Sequence, residues 1–262
     1  MNDFFMGLLR QKNIIFALII REFRVRNSKH AFTHLFDIVH TVFFIIAHWL
    51  IFKFAGRHLL IGDSLLTWIT TGIFPVLYFR SISIRAAQGV RASKPLRTIP
   101  FVHPLDVSIA KVAIEALTFI GTFAFFFDMI YVSGESRYAA PFNLLPILES
   151  IALLTLLAFG VGLVNSFISS VFPLYTLAWS AFARVQLFFS AVFYIPEYLP
   201  PSVRYWISFN PLLHFVSLFR TGFYQSYPTH LISFSYMFWW AIGTTFVGLV
   251  LERRMREASL AY

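Results

Sequence analysis

The sequence predicts an all-α polytopic membrane protein, and three observations support that fold class. Hydrophobic residues make up 58% of the 262-residue chain and charged residues 13%, a balance typical of membrane proteins rather than of soluble domains. Six apolar stretches are long enough, or nearly so, to cross a hydrocarbon core of about 30 Å as helices. No internal repeat or interdomain linker is found, so residues 1–262 are predicted to form a single transmembrane domain.

Residues 1–33 are predicted to form a cytoplasmic helix that lies in the membrane interface. Between Ile14 and Arg26, apolar residues give way to closely spaced Arg residues. A helix with one apolar face and one basic face binds the boundary between lipid headgroups and acyl chains without crossing the bilayer.

The six predicted transmembrane helices cover about residues 35–54, 64–80, 106–131, 144–170, 175–195 and 231–251. With six crossings, both termini lie on the same side of the membrane. Fourteen of the 21 Lys and Arg residues fall on that side, and four fall in the opposite loops. Because cytoplasmic loops carry an excess of Lys and Arg, both termini and the 81–105 loop are predicted to be cytoplasmic. This placement explains the net charge of +9 without a nucleic-acid partner.

The 81–105 loop combines features that a simple connection does not need. Pro95, Pro100 and Pro104 divide it into short segments, and apolar side chains lie between them. We interpret it as a docking element for a soluble partner, with a plain connector as the alternative. The residues predicted to make the contact are Arg91, Lys94, Leu96, Arg97, Ile99, Phe101 and Val102.

Residues 196–230 are predicted to form a periplasmic re-entrant helical hairpin between spans 5 and 6. Prolines interrupt the apolar sequence, so the fifth span is expected to end near Ile195 and two short helices to follow, at about 202–209 and 211–224. Asn210 precedes Pro211, a pair typical of a helix start, and is placed at the hairpin tip. Irregular backbone is tolerated at membrane depth only against protein or a water-filled path. An amphipathic surface loop is the alternative.

The second short helix has two faces in the prediction. Leu212, Phe215, Val216, Phe219 and Phe223 fall on an apolar face, and His214, Ser217 and Thr221 fall on another.

Several segments of the sequence resemble those of a known family. They are LIIREFRVRNSK before the first span, GIFPVLYF in the second, the loop KPLRTIPFVHPLD, the stretch FYIPEYLPPSVRYWISFNPLLHFVSLFRTGFY and the tail RRMREASLAY. In order and spacing they resemble the capsular polysaccharide export permease, the membrane subunit of a type-two ABC exporter.

The resemblance implies a homodimer in the bacterial inner membrane, joined to two ATP-binding cassette ATPase subunits that hold ATP and Mg²⁺. It also implies a lipid-linked acidic capsular polysaccharide as the substrate, and a periplasmic polysaccharide co-polymerase or adaptor with an outer-membrane channel as further partners. The loop between spans 2 and 3 would then be the coupling helix.

No residues are expected to perform covalent chemistry. The sequence lacks the G-x-x-x-x-G-K-[ST] loop that cradles ATP phosphates, so the energy is expected to come from another chain or from an ion gradient. His30 and His34 are spaced for a metal but have no third ligand nearby, and no metal site or cofactor is predicted in this chain.

Aromatic residues make up 19% of the chain, and a slippery aromatic lining would let a glycan slide. The resemblance implies that spans 1 and 5 border the translocation path. The predicted path residues are Phe44, His48, Trp49, Trp179, Phe182, Arg184, Phe188, Phe189 and Asn210.

Charged residues within spans leave alternatives open. An Arg at the centre of a lipid-facing helix is costly, so Arg184 is expected to face protein or water. Equal depth favours pairing with Glu115, and contact with anionic substrate is the alternative. Asp37, His40 and His48 share a face of span 1, as a polar seam or a proton relay.

Three functions therefore remain at this point. The first is capsular polysaccharide export, and the second is export of O-antigen or teichoic acid by the same architecture. The third is a proton-coupled secondary transporter that uses the polar face of span 1.

Overall fold

The structure is a computed structural model that describes residues 2–29, 32–93 and 101–260, and its described part is helical without strands. The α-helices are α1 (Asn2–Lys29), α2 (Phe32–Phe54), α3 (Leu65–Ala92), α4 (Pro104–Val132), α5 (Leu144–Val171), α6 (Tyr175–Phe189), α7 (Pro201–Ile207), α8 (Pro211–Thr221) and α9 (Phe234–Leu260). Short 3₁₀ helices cover Arg137–Ala139 and Pro196–Tyr198.

Four helices of the described part are long and apolar enough to cross a membrane. They are α3, α4, α5 and residues Phe234–Glu257 of α9. In the described part of α2 the apolar stretch covers Thr41–Phe54, and α6 has 15 residues. The all-α class is therefore confirmed, whereas six crossings remain a prediction.

The core is built around α3 and α5, which pack on each other and on α4 and α9 respectively. At the α5–α9 contact, a side chain at Gly160 would come within 2.6 Å of the Thr245 Cα atom. A glycine at this position lets the two backbones approach closely, as small residues do between membrane helices.

Helix α1 packs along α4. Leu18 is buried against Val107 and Ala110, and Glu22 forms an ion pair with Lys111. Apolar side chains on the other side of α1, including Phe16, are exposed. This two-faced helix agrees with the predicted N-terminal helix.

Two predicted boundaries are wrong. Helix α3 continues past Arg80 to Ala92, so the first part of the 81–105 segment is helical. The helix continues because Ile82, Ala86 and Val90 recur at helical spacing and are buried. A boundary placed at the charged Arg80 overlooked that apolar face.

Helix α6 ends at Phe189 rather than near Ile195. Ser190 leaves the helical conformation and Ala191 has a φ of 59°, in the left-handed region. The prediction took the first proline, Pro196, as the stop signal. The structure instead bends the chain earlier, where side chains from α8 receive its free carbonyl groups.

Candidate functional site

A cavity of about 700 Å³ separates α6 from α7, α8 and the neighbouring parts of α5 and α9. Four of the residues predicted to border the path line it: Trp179, Phe182, Phe189 and Asn210. Its remaining lining is mostly apolar and aromatic, and comprises Phe79, Leu157, Val161, Val164, Asn165, Tyr175, Val185, Gln186, Trp206, Ile207, Phe209, Pro211, Leu212, Trp240 and Thr244.

One wall of the cavity is a row of rings on α6. The Trp179 ring centroid lies 6.4 Å from that of Tyr175 and 5.6 Å from that of Phe182. The Tyr175 hydroxyl donates a hydrogen bond of 2.8 Å to Asn165 Oδ1 on α5, which fixes the first ring of the row. Aromatic faces aligned in this way offer a continuous apolar surface with few directional contacts.

At the other end of the cavity, Asn210 joins α6 to α8. Its Oδ1 accepts from the Leu212 amide at 3.1 Å, the N-cap bond that the sequence predicted. Its Nδ2 donates to the Phe189 carbonyl and to Ser190 Oγ, each at 3.0 Å. One side chain thus begins α8 and receives the carbonyl end of α6.

The predicted apolar face of α8 is buried, as expected, but so is most of the polar face. His214 Nε2 lies 2.8 Å from the Ser208 carbonyl oxygen, and Ser217 Oγ lies 3.3 Å from the Tyr227 hydroxyl. Both side chains are therefore partnered inside the protein. This burial does not fit a surface position for α8, whereas α7 has no buried residue, and the re-entrant hairpin remains a prediction.

The remaining predicted aromatic residues form a separate cluster. His48 of α2 stacks on Phe193 with ring centroids 5.8 Å apart. Phe44 packs against His48, and Phe188 packs against Phe193. Trp49 contacts the Lys53 ammonium group, 4.7 Å from its ring centroid. These residues anchor α2 to the turn after α6 and do not line the cavity. The side chains of Asp37 and His40 lie outside the described part.

The predicted pairing of Arg184 with Glu115 is wrong. Glu115 is buried on α4 and forms an ion pair of 3.0 Å with Arg85, while Ser81 also donates to it. Arg85 lies on the part of α3 that the sequence assigned to a loop. Arg184 is exposed, and its positive charge acts on nearby Arg80.

Arg80 belongs to a second, smaller pocket of about 210 Å³ between α3, α5 and α6. Asn165, Tyr175 and Trp179 line both this pocket and the larger cavity, so the two are adjacent. Arg91, from the last turn of α3, also lines the pocket and donates to Ser169 Oγ.

The most deeply buried charged side chain of the described chain is Arg220, which the sequence analysis counted only as a loop residue. Arg220 of α8 is fully buried, and its guanidinium carbon lies 3.7 Å from the Trp68 ring centroid. It donates to the carbonyls of Ala191 and Val192, each at 2.5 Å, and of Trp68 at 3.1 Å. Burial raises the pKa of the nearby Tyr227 hydroxyl, with Arg220 acting in the opposite direction. The signal in the sequence was an Arg one turn after Val216 on an apolar face.

No protein-family model matches the chain. The Escherichia coli polysialic acid transport protein KpsM is 26% identical over 254 residues, which cover 97% of this chain and 98% of the relative. The capsule polysaccharide export inner-membrane protein CtrC of Neisseria meningitidis serogroup A is 24% identical over 223 residues, 85% of this chain and 83% of the relative. The capsule polysaccharide export inner-membrane protein BexB of Haemophilus influenzae is 24% identical over 255 residues, covering 96% and 94%.

The chain is similar over nearly its whole length to capsule polysaccharide export proteins. The resemblance that the sequence motifs predicted is thereby confirmed, over nearly the whole length of the chain. Because the match to KpsM leaves few residues uncovered, it takes in the α6–α8 region as well as the four long apolar helices.

The structure describes only some of the predicted coupling residues. Lys94, Leu96, Arg97 and Ile99 lie outside the described residues. Phe101 is 62% exposed at the start of the next described segment, with the Arg10 guanidinium 5.3 Å from its ring centroid. Val102 packs against the contact between α1 and α4. Contact with a soluble partner remains a prediction for all of them.

Proposed function

We propose that this chain is the membrane-spanning subunit of an ATP-driven exporter that moves a lipid-linked acidic capsular polysaccharide from the cytoplasm to the periplasm. The observation that carries the proposal is the end-to-end similarity to capsule polysaccharide export proteins. The all-helical architecture with long apolar helices supports a membrane subunit of this kind.

In this proposal, α2 and α6 cross the inner membrane together with the four longer helices. At 1.5 Å per residue, the 23 residues of α2 extend roughly 35 Å and the 15 of α6 roughly 22 Å. The segment after α6 completes its crossing. Both termini are cytoplasmic, and α7 and α8 re-enter from the periplasmic side, which the excess of basic residues on the terminal side supports.

The chain performs no covalent chemistry of its own. Its sequence has no phosphate-binding loop, so ATP and Mg²⁺ are bound by two separate ATPase subunits. A second copy of the chain completes the membrane part. A periplasmic co-polymerase or adaptor and an outer-membrane channel receive the glycan.

The cavity beside α6 is the part of the glycan path that this subunit supplies. Ring faces on Trp179 and Phe182 can stack on sugar rings, and few polar groups hold the polymer at one position. The N-terminus of α8 lies at the same cavity beside Asn210, where the positive end of the helix dipole favours anionic groups.

Deletion of the gene in its own bacterium tests this function. The deletion strain is expected to retain capsular polysaccharide inside the cell, and a plasmid copy is expected to restore it to the surface. Export is expected to stop with vanadate and to continue when the proton gradient is dissipated. Loss of O-antigen or teichoic acid with normal capsule would support the related glycan exporters instead. Export that stops with the proton gradient and resists vanadate would support a secondary transporter.

A further inference from the structure

The small pocket between α3, α5 and α6 has an unbalanced charge. Arg80 and Arg91 line it, and its other polar lining residues are uncharged: Ser83, Gln88, Asn165, Ser169, Tyr175, Thr176 and Ser180. No carboxylate lines this pocket in the described part of the chain. A concave, partly desolvated site with one sign of charge attracts ligands of the opposite sign.

The nearest charged neighbours do not compensate the two arginines. Arg184 of α6 adds a further positive charge beside Arg80. The buried carboxylate of Glu115 is already engaged by Arg85 and Ser81. Like charges close together in apolar surroundings repel each other, so an anion that binds between them is favoured.

The pocket lies directly beside the large apolar cavity, and the two share lining residues. Asn165, Tyr175 and Trp179 border both spaces, and the Trp179 Nε1 group is buried without a hydrogen-bond partner in the described structure. A ligand that fills both spaces would have an anionic group at one end and an apolar chain at the other. A phospholipid and a lipid-linked glycan both match this description.

We propose that Arg80 and Arg91 bind the phosphate of a lipid headgroup, with an acyl chain of that lipid in the cavity beside α6. Arg guanidinium groups bind phosphate oxygens through paired, charge-assisted hydrogen bonds. The site rests on the proposed function, because it lies at the cytoplasmic end of α6 in the proposed topology. There it would receive the lipid anchor of the substrate before export.

Lipid binding to the purified full-length chain tests the site. The protein in neutral detergent is titrated with phosphatidylglycerol and with phosphatidylcholine of identical acyl chains, and the bound lipid is counted by native mass spectrometry. The wild type is expected to prefer phosphatidylglycerol. Arg80→Gln with Arg91→Gln is expected to weaken phosphatidylglycerol about tenfold and phosphatidylcholine less, because the choline cation already balances the phosphate charge of phosphatidylcholine. Arg254→Gln, which removes an exposed charge from α9, is the matched control.

The acyl chain is tested separately. Val185 lines the large cavity and not the small pocket. Val185→Trp is expected to weaken binding of phosphatidylglycerol several-fold while both arginines remain. If inorganic phosphate displaces the lipid fully and Val185→Trp has no effect, the site binds a free anion and the proposal is wrong. Equal lipid binding by the wild type and the double Arg variant would also overturn it.

Export measured in the same strains separates the two proposals. Normal capsule export by the wild-type gene without selective lipid binding refutes the lipid site alone. Failure of the gene to support any glycan export refutes the proposed function, whereas selective binding that depends on Arg80 would still establish the site.

Discussion

Two regions of this molecule hold arginine side chains in apolar surroundings, and the arginines differ in the partners that surround them. Around α8, Arg220 is fully enclosed and donates to three backbone carbonyls. Between α3 and α6, Arg80 and Arg91 line an open pocket beside a further arginine, with no carboxylate in the described lining. The two terminal nitrogens of the first guanidinium donate to backbone carbonyls within the chain, so this charge holds the local backbone in place. The second is left for something outside the chain, so it is suited to binding.

The difference follows from which backbone groups are left over. Helix α6 ends early, and its last carbonyls have no helical partner. Asn210 donates to the last carbonyl of α6, at Phe189, and Arg220 donates to the carbonyls of Ala191 and Val192 in the turn that follows. Helix α3 has no such break near Arg80. In the described structure no backbone carbonyl is recorded as a partner of the Arg80 guanidinium.

The strongest test of this comparison is removal of the enclosed charge. Arg220→Met would leave the carbonyls of Ala191, Val192 and Trp68 without their donor, at a cost of about 3–5 kcal/mol. Little folded protein is expected by fluorescence-detected size-exclusion chromatography. Arg220→Lys is expected to recover only part, because an ammonium group lacks the planar fork.

Arg204 of α7 provides the matched control for that change, since it is half-buried and makes no side-chain contact that the described structure records. Arg204→Met is expected to fold normally. If Arg220→Met folds as well as this control, the enclosed arginine does not hold the turn after α6.

A second test acts on the same contact from the opposite side. A Cβ atom at Gly72 of α3 would meet the Arg220 guanidinium and lie 2.7 Å from the Val192 carbonyl oxygen. Gly72→Ala is therefore expected to cost about 1–3 kcal/mol by overpacking, measured as a lower thermal midpoint of unfolding. At Gly121 of α4 an added Cβ meets nothing within 4 Å. Gly121→Ala is expected to be neutral or to stabilise by up to about 1 kcal/mol, and equal loss at both sites would contradict the close contact.

A third test asks which arginine of the open region already has a partner. Arg85→Glu would place two carboxylates face to face at Glu115. This is expected to lower the free energy of unfolding by about 1–3 kcal/mol and to reduce the yield of folded protein. Adding Glu115→Arg is expected to restore the yield, because the swapped pair keeps the contact. Arg184→Glu with Glu115→Arg is expected to give no such rescue. Rescue by Arg184 instead of Arg85 would return Glu115 to the partner that equal depth suggested.

The sequence predicted the features that depend on local signals. Asn210 before Pro211 marked the start of α8, and prolines marked the short helices around it. The Arg85–Glu115 pair was missed because the prediction compared only the membrane depth of Arg184 on α6 with that of Glu115 on α4. It did not consider α3, which packs against α4 and carries Arg85.

The role of Arg220 was missed for a related reason. A basic residue in a loop is counted as a charge for topology, and its burial depends on the early end of α6. The C-terminal end of α6 is determined by tertiary contacts rather than by a proline, so no local sequence pattern predicted it. The substrate-path residues divided along the same line. Trp179, Phe182 and Phe189 of α6 line one cavity, whereas His48 and Phe188 pack against Phe193.

The smallest expected effect concerns Asn210, which belongs to both regions because it receives the end of α6 and lines the cavity. Asn210→Asp keeps the oxygen that caps Leu212 and loses the donor to Phe189 and Ser190, at a cost of about 1 kcal/mol. Asn210→Ala loses the cap as well, so it is expected to be less stable than Asn210→Asp. Thermal midpoints of both variants check this order.

Export by the same two variants separates shape from charge at this position. If Asn210 only fixes the backbone, export follows stability and Asn210→Ala exports less than Asn210→Asp. If an anionic glycan passes this end of the cavity, the added negative charge repels it, and Asn210→Asp exports less although it folds better. We expect the second order, with export measured as surface capsule per folded transporter. If export instead follows stability, Asn210 contributes only to the fold around α8 and not to passage of the glycan.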